Sequence, residues 1–355
     1  MVNDLIQTDR MFIDHLRGIL IFRVILAHLG LSWIWMPYSS YIGIFLPPLF
    51  AISGAVSLYS FYRSSNIRLF LLKRLPQLLV TYYVILIFGY CATLLEGHNI
   101  QGNIINILLL NIPNIEMPIP LGQVWFLRTL IISTIICVPI FQLSQNNRNW
   151  LLLPIAIATA LSTTALTTDH SLYLEIPFGN KLNIQQPLIA SGFYCLGAWL
   201  IGSNRNKAVL FLISVSLFVS SYLVSNSINN FNYVLEDHAY QFDLYYFLLG
   251  SATLLCLLSF EKIFESTIKI IKPINGILLF FSKHAFIIFL IHGYFIYLSE
   301  EYFGLLNVSA NIPAALLKIT FVIAGSCAIS LLLTPISKLT TIKIQAMIIN
   351  NKNPN

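Results

Sequence analysis

Apolar runs follow one another along this chain, near residues 12–34, 42–62, 75–95, 122–143, 150–167, 187–203, 207–225, 240–260, 284–303 and 313–335. Each is close to the ~20 residues a helix needs to cross the hydrocarbon of a bilayer. Backbone polar groups find no water in that layer, so a run of this kind spans it as a helix. The pattern excludes a soluble globular domain. Composition agrees: 57% of the 355 residues are hydrophobic and only 10% are charged, where a soluble domain carries about 25% charge. The expected fold class is therefore all-α, a polytopic integral membrane helix bundle with ten transmembrane helices, one for each run. Two shorter apolar pieces, 103–112 and 264–281, read as interfacial or re-entrant segments.

The basic residues give this count a direction. One set of alternate loops and termini holds Arg10, then Arg63, Arg68, Lys73 and Arg74, then Arg148, Arg205, Lys207, Lys262, Lys269 and Lys272, with Lys338, Lys343 and Lys352 at the end. The opposite set, 36–41, 96–121, 168–186, 226–239 and 304–312, holds only Lys181. Lysine and arginine are retained on the cytoplasmic side, so both termini are expected in the cytoplasm. The net charge of +6 is then an orientation signal, and no nucleic-acid partner is implied. Five cysteines, Cys91, Cys137, Cys195, Cys256 and Cys327, all fall in apolar runs. They show no CxxC and no His/Cys pair at ligand spacing, so they read as small core residues, with no metal site. No internal repeat or domain boundary is visible. The expectation is one transmembrane domain over 1–340 and a short, disordered cytoplasmic tail over 341–355.

The first run carries too much polar chemistry for a plain anchor. It reads Asp14-His15-Leu16-Arg17-Gly18 and continues to His28. Arg17 and His28 are eleven residues apart, about three helical turns, so they share a face roughly 16 Å apart along the axis. Asp14 stands one turn before Arg17, within pairing reach. Ionisable groups in a membrane span are costly and ordinarily face a protein interior or a watery cavity. A second reading stays open from spacing alone: an interfacial Asp14–Arg17 pair with Arg17 reaching for headgroups, and His28 as a neutral packing residue.

Three further places depart from plain apolar sequence. Pro47-Pro48-Leu49-Phe50-Ala51-Ile52-Ser53-Gly54 lies in the second run, and Lys73-Arg74-Leu75-Pro76-Gln77 opens the third. Val124-Trp125-Phe126-Leu127 and Phe289-Leu290-Ile291-His292 lie in the fourth and ninth. In order and spacing these pieces resemble the acyltransferase-3 family of membrane O-acyltransferases, from about residue 9 to 335. The resemblance implies that His28 is the essential histidine of the first helix and Arg17 the arginine before it. The family's basic motif at the third helix usually reads Arg-x-x-Arg with a proline three residues on. Here Arg74 matches its first member, Gln77 stands at the second, and Val80 occupies the proline position. Lys73 or Arg68 is the expected source of the missing charge.

The resemblance also implies a division of labour. Asp14, Arg17 and His28 form the catalytic group. Arg74, Lys73 and Arg68 bind the phosphates of the donor, acetyl-coenzyme A, by charge-assisted hydrogen bonds. Trp125, His292 and Ser53 contact substrate. The acceptor is expected to be a hydroxyl of an envelope glycan or a lipid-linked sugar, and the location a bacterial inner membrane. No metal is expected. Alternatives remain open in the sequence: an O-succinyltransferase of the same family, a glycan transporter or flippase, and, because of Gln77 in the basic motif, a non-catalytic envelope-assembly subunit. His28 can act as a base toward the acceptor hydroxyl or take the acyl group itself, and the sequence does not choose. Oligomeric state is equally open.

Overall fold

The computed structural model describes residues 6–29, 46–64, 66–95, 97, 124–147, 152–153, 155–157, 159, 173–176, 180–201, 205–228, 243–305 and 312–350. The helices are α1 (Ile6–His28), α2 (Leu46–Ser64), α3 (Ile67–Leu95), α4 (Val124–Asn147), α5 (Gln185–Leu200), α6 (Lys207–Ile228), α7 (Leu244–Ser259), α8 (Glu261–Ile270), α9 (Lys272–Glu301) and α10 (Ile312–Asn350). The fold is helical, as expected, with one addition. Tyr173–Ile176 (β1) and Asn180–Asn183 (β2) pair as an antiparallel hairpin, Leu174 opposite Leu182.

Five of the described helices are long and apolar enough to cross a membrane: α3, α4, α6, α9 and α10. A sixth is possible if α7 and α8, bent by 59° at their junction, make one broken span. The expected ten are therefore not all reproduced. α5 has only 16 residues, and α1 holds Asp9, Arg10, Asp14, Arg17 and Arg23, too much charge for a lipid-facing span. Of the run at 150–167, only 152–153, 155–157 and 159 are described, all helical. The segment 103–112 lies outside the described residues.

Two expectations about the elements need correction. Residues 264–281 are not one interfacial piece: α8 ends at Ile270 and α9 begins at Lys272. Pro273 has no N–H for the carbonyl of Lys269, so α8 cannot continue through it. The tail expected to be disordered from 341 is helical to Asn350. Its side chains bind α3, as described below, and that packing supplies what composition lacks.

Contacts divide the chain into two compact units. The first comprises Met1–Val24, Ser32–Arg63 and Ile132–Lys283; the second comprises Ile25–Leu31, Ser64–Ile131 and His284–Asn355. In the first unit α2 and α5 meet backbone to backbone. A Cβ on Gly54 would collide with the carbonyl of Tyr194, and one on Gly197 with the carbonyl of Ala51. Small residues at such a crossing let helices approach closely in a membrane. The Tyr194 hydroxyl closes the crossing, bonded to Ser57 Oγ (2.5 Å) and Thr134 Oγ1 (3.0 Å). Cys137 and Cys195 face each other as free thiols, 3.8 Å apart. Cys91, expected in the core, is exposed instead. α6 is tied to α7 by Ser214 Oγ donating to the carbonyl of Ala252 at 2.7 Å.

In the second unit α3 and α10 run antiparallel. Thr81 Oγ1 meets Ser337 Oγ at 2.7 Å, and eight residues along each helix Gln345 Nε2 donates to the carbonyl of Lys73 at 2.9 Å. α9 joins them through Phe88–Tyr294, with centroids 6.0 Å apart, and His284 Nδ1–Thr334 Oγ1 at 2.8 Å. Lys318, a cation within an apolar helix and only 3% exposed, is held by Glu300 at 2.6 Å.

Candidate active site

α9 reads Phe289-Leu290-Ile291-His292, and all four residues are buried. The stretch 285–291 before His292 is apolar, so a buried imidazole at its end requires polar partners. His292 finds the first in its own backbone: Nδ1 lies 2.7 Å from the carbonyl oxygen of Phe289, one turn earlier. It finds the second on α1, where Nε2 lies 2.9 Å from Nδ1 of His28. The two rings stack with centroids 5.0 Å apart and planes inclined by 30°. His28 is the last residue of α1 and is exposed, while His292 is fully buried.

These contacts fix the protons. A carbonyl oxygen can only accept, so Nδ1 of His292 carries the hydrogen and donates to Phe289. In a neutral imidazole the other nitrogen is then an acceptor. Nε2 of His292 therefore accepts from Nδ1–H of His28. His28 is left with a lone pair on Nε2, on the exposed ring. The chain from backbone carbonyl to buried imidazole to exposed imidazole orients His28 as a base.

α4 supports this arrangement. Phe126 packs against Phe289 with centroids 4.6 Å apart, so the Trp125-Phe126-Leu127 motif braces the residue whose carbonyl orients His292. Trp125 itself is half-buried, edge-on to Phe126.

The basic motif on α3 is also in the second unit. Arg68 and Lys73 are exposed and Arg74 is half-buried. Asn66 caps the helix, its side-chain oxygen accepting from the backbone N–H of Arg68 at 2.8 Å, the usual way an asparagine satisfies a first-turn donor. Nε of Arg74 is buried and has no hydrogen-bond partner among the described residues. A buried donor left open is costly, and an anionic group would satisfy it. Gln77 is exposed.

Asp14 and Arg17 belong to the first unit. Arg17 Nη1 bonds Asp14 Oδ1 at 3.3 Å, and Ser282 Oγ donates to the same oxygen at 3.2 Å. The next residue, His15, escaped the sequence reading. It is fully buried, with Nε2 2.6 Å from Asn275 Oδ1 and Nδ1 3.9 Å from Glu265. These bonds, with Gly18 set against the backbone of Leu278, fasten the first half of α1 to α9. Ser53 is half-buried on α2 in the same unit, and the packing of its neighbour Gly54 accounts for the local sequence. Among the described residues no group of three or more His, Cys, Asp or Glu could hold a metal.

The structure thus brings His28 and His292 together, and separately Asp14 and Arg17. It leaves Arg68 and Lys73 exposed at the start of α3. Gln345, which holds α3 beside Arg74, carried no signal in the sequence beyond being polar in a helical pattern.

No curated protein and no solved structure matches the chain. The family model described as an acyltransferase domain, Acyl_transf_3, matches residues 11–334. That span takes in α1 with His28, the basic motif of α3, and α9 with His292. The chain belongs to the acyltransferase-3 family of membrane acyltransferases.

Proposed function

We propose that the protein is a multi-pass O-acyltransferase of a bacterial inner membrane. It moves an acetyl group from acetyl-coenzyme A to a hydroxyl of an envelope glycan or a lipid-linked sugar. The observation that carries this reading is the Phe289 carbonyl–His292–His28 chain, which leaves a lone pair on an exposed imidazole.

The reaction follows from that lone pair. Nε2 of His28 takes the proton of the acceptor hydroxyl as its oxygen attacks the thioester carbonyl. His292, which stays neutral, stabilises the positive charge that forms on His28 by accepting from its Nδ1–H. The tetrahedral intermediate collapses by breaking the carbon–sulfur bond. The departing thiolate recovers the proton from His28, so the products are the ester and free coenzyme A. Arg74, with Arg68 and Lys73, holds the donor's phosphates. Arginine suits them through paired donors and lysine as a point charge. Arg17 is kept in place by Asp14.

The test uses membranes bearing the native protein or His28→Ala at equal level, supplied with labelled acetyl-coenzyme A. Label should enter the glycan fraction with the native protein, and the variant should lose about a hundredfold or more of that rate. Label from both proteins would remove His28 from the chemistry. Label from neither, with succinyl-coenzyme A also inactive, would move the proposal toward glycan transport.

A further inference from the structure

Pro76 stands inside α3, two residues after Arg74. Having no N–H, it leaves the carbonyl of Leu72 without its helical donor, and its ring pushes against that carbonyl. The backbone that carries Arg74 therefore lacks one hydrogen bond of the helical ladder. In the structure it is held from outside. Gln345 of α10 donates through Nε2 to the carbonyl of Lys73 at 2.9 Å and lies 3.5 Å from that of Leu72. Thr81 and Ser337 fasten the same two helices on the other side of the proline. Gln345 and Ser337 lie beyond residue 334, where the family match ends.

We propose that Gln345 is a positioning residue for donor binding: its side-chain amide reaches the Leu72 carbonyl that Pro76 leaves without a helical donor, bonds the next carbonyl, that of Lys73, and so fixes the direction of Arg74. The proposal rests on the reading of Arg74 as a phosphate ligand. Nε of Arg74 is a buried donor with no partner among the described residues, so its usefulness to an anion depends on where the backbone aims it. The segment 335–350 then belongs to the donor site of this protein, and the rigidity it lends Arg74 adds to the charge that Arg68 and Lys73 supply where Gln77 stands. A guanidinium held in one orientation loses less freedom when it binds.

The test measures KM for acetyl-coenzyme A and kcat in native membranes. Gln345→Met keeps the length and removes the donor. It should raise KM about three- to tenfold, the worth of one hydrogen bond, with kcat within about twofold. Pro76→Ala returns the N–H to Leu72, so the double variant Pro76→Ala/Gln345→Met should recover a KM within about twofold of native. A general loss of packing would not be repaired by that second change. If Gln345→Met fails to insert, Gln345→Glu, which keeps the shape and cannot donate when ionised, takes its place. An unchanged KM in the Gln345 variant, beside a raised KM in Arg74→Ala, would overturn the proposal alone. So would a raised KM that Pro76→Ala does not restore. An unchanged KM in Arg74→Ala would instead remove the donor-site reading beneath it.

Discussion

His292 shows how much a single tautomer can decide. A phenylalanine in its place would fill the buried volume and offer no acceptor. His28 would then lose the bond that fixes its proton, and its lone pair would no longer be held on the exposed side. On the proposed mechanism His292→Phe lowers kcat about tenfold to a hundredfold and leaves KM for acetyl-coenzyme A within about twofold. His292→Gln, which keeps an acceptor, retains more of the activity. Equal rates for the native protein and His292→Phe would detach the pair from catalysis. Both histidines were visible in the sequence, each within its own motif. Their partnership was not, because 264 residues separate them and helical periodicity relates only near neighbours. Gln345 was less legible still: its role comes from a proline on another helix, and neither residue is unusual alone.

At the scale of elements, the crossing of α2 and α5 is the most exacting contact described. Gly54 and Gly197 answer each other across it, so any side chain at either position must separate the helices. Gly54→Val should destabilise the first unit by more than the ~1–3 kcal/mol typical of overpacking, since the obstacle is backbone. Thermal unfolding in detergent would show it as a lowered midpoint, and an unaltered midpoint would mean the helices do not meet there. The SerGly pair was noticed in the sequence as part of a motif, and close packing of small residues was its plainest reading. Strands were not expected in a chain so apolar. The Tyr173–Ile176 and Asn180–Asn183 hairpin sits in a polar connection where no periodic signal rises above the turn residues. The break between α8 and α9 could have been read from Pro273, but the apolar residues on both sides suggested one segment.

For the whole molecule, the open quantity is the number of crossings. The alternation of basic residues predicts an even number and cytoplasmic termini. Epitope tags at Met1 and Asn355 should both be protected from protease in sealed right-side-out vesicles and both be cut in inverted ones. Opposite behaviour of the two tags would require an odd number. Length and apolarity made α3, α4, α6, α9 and α10 plain from the sequence. α1 and α5 are less plain as spans for physical reasons, one because it carries Asp9, Arg10, Asp14, Arg17 and Arg23 and the other because it is short. The paired ends of α3 and α10 bear on how such an enzyme meets its two substrates. With 29 and 39 residues, these helices measure about 43 and 58 Å, against a hydrocarbon layer of about 30 Å. Helices of this length exceed the layer, and on the proposed reading the ends that carry Arg68, Lys73, Arg74 and Gln345 are the ones that reach past it. On the proposed reading the donor arrives there by diffusion through a volume, and a lipid-linked acceptor arrives by diffusion within a sheet. The enzyme would then sense one substrate as molecules per litre and the other as molecules per unit of area, so that its rate depends on how densely the bilayer is stocked as well as on the metabolic state of the cell.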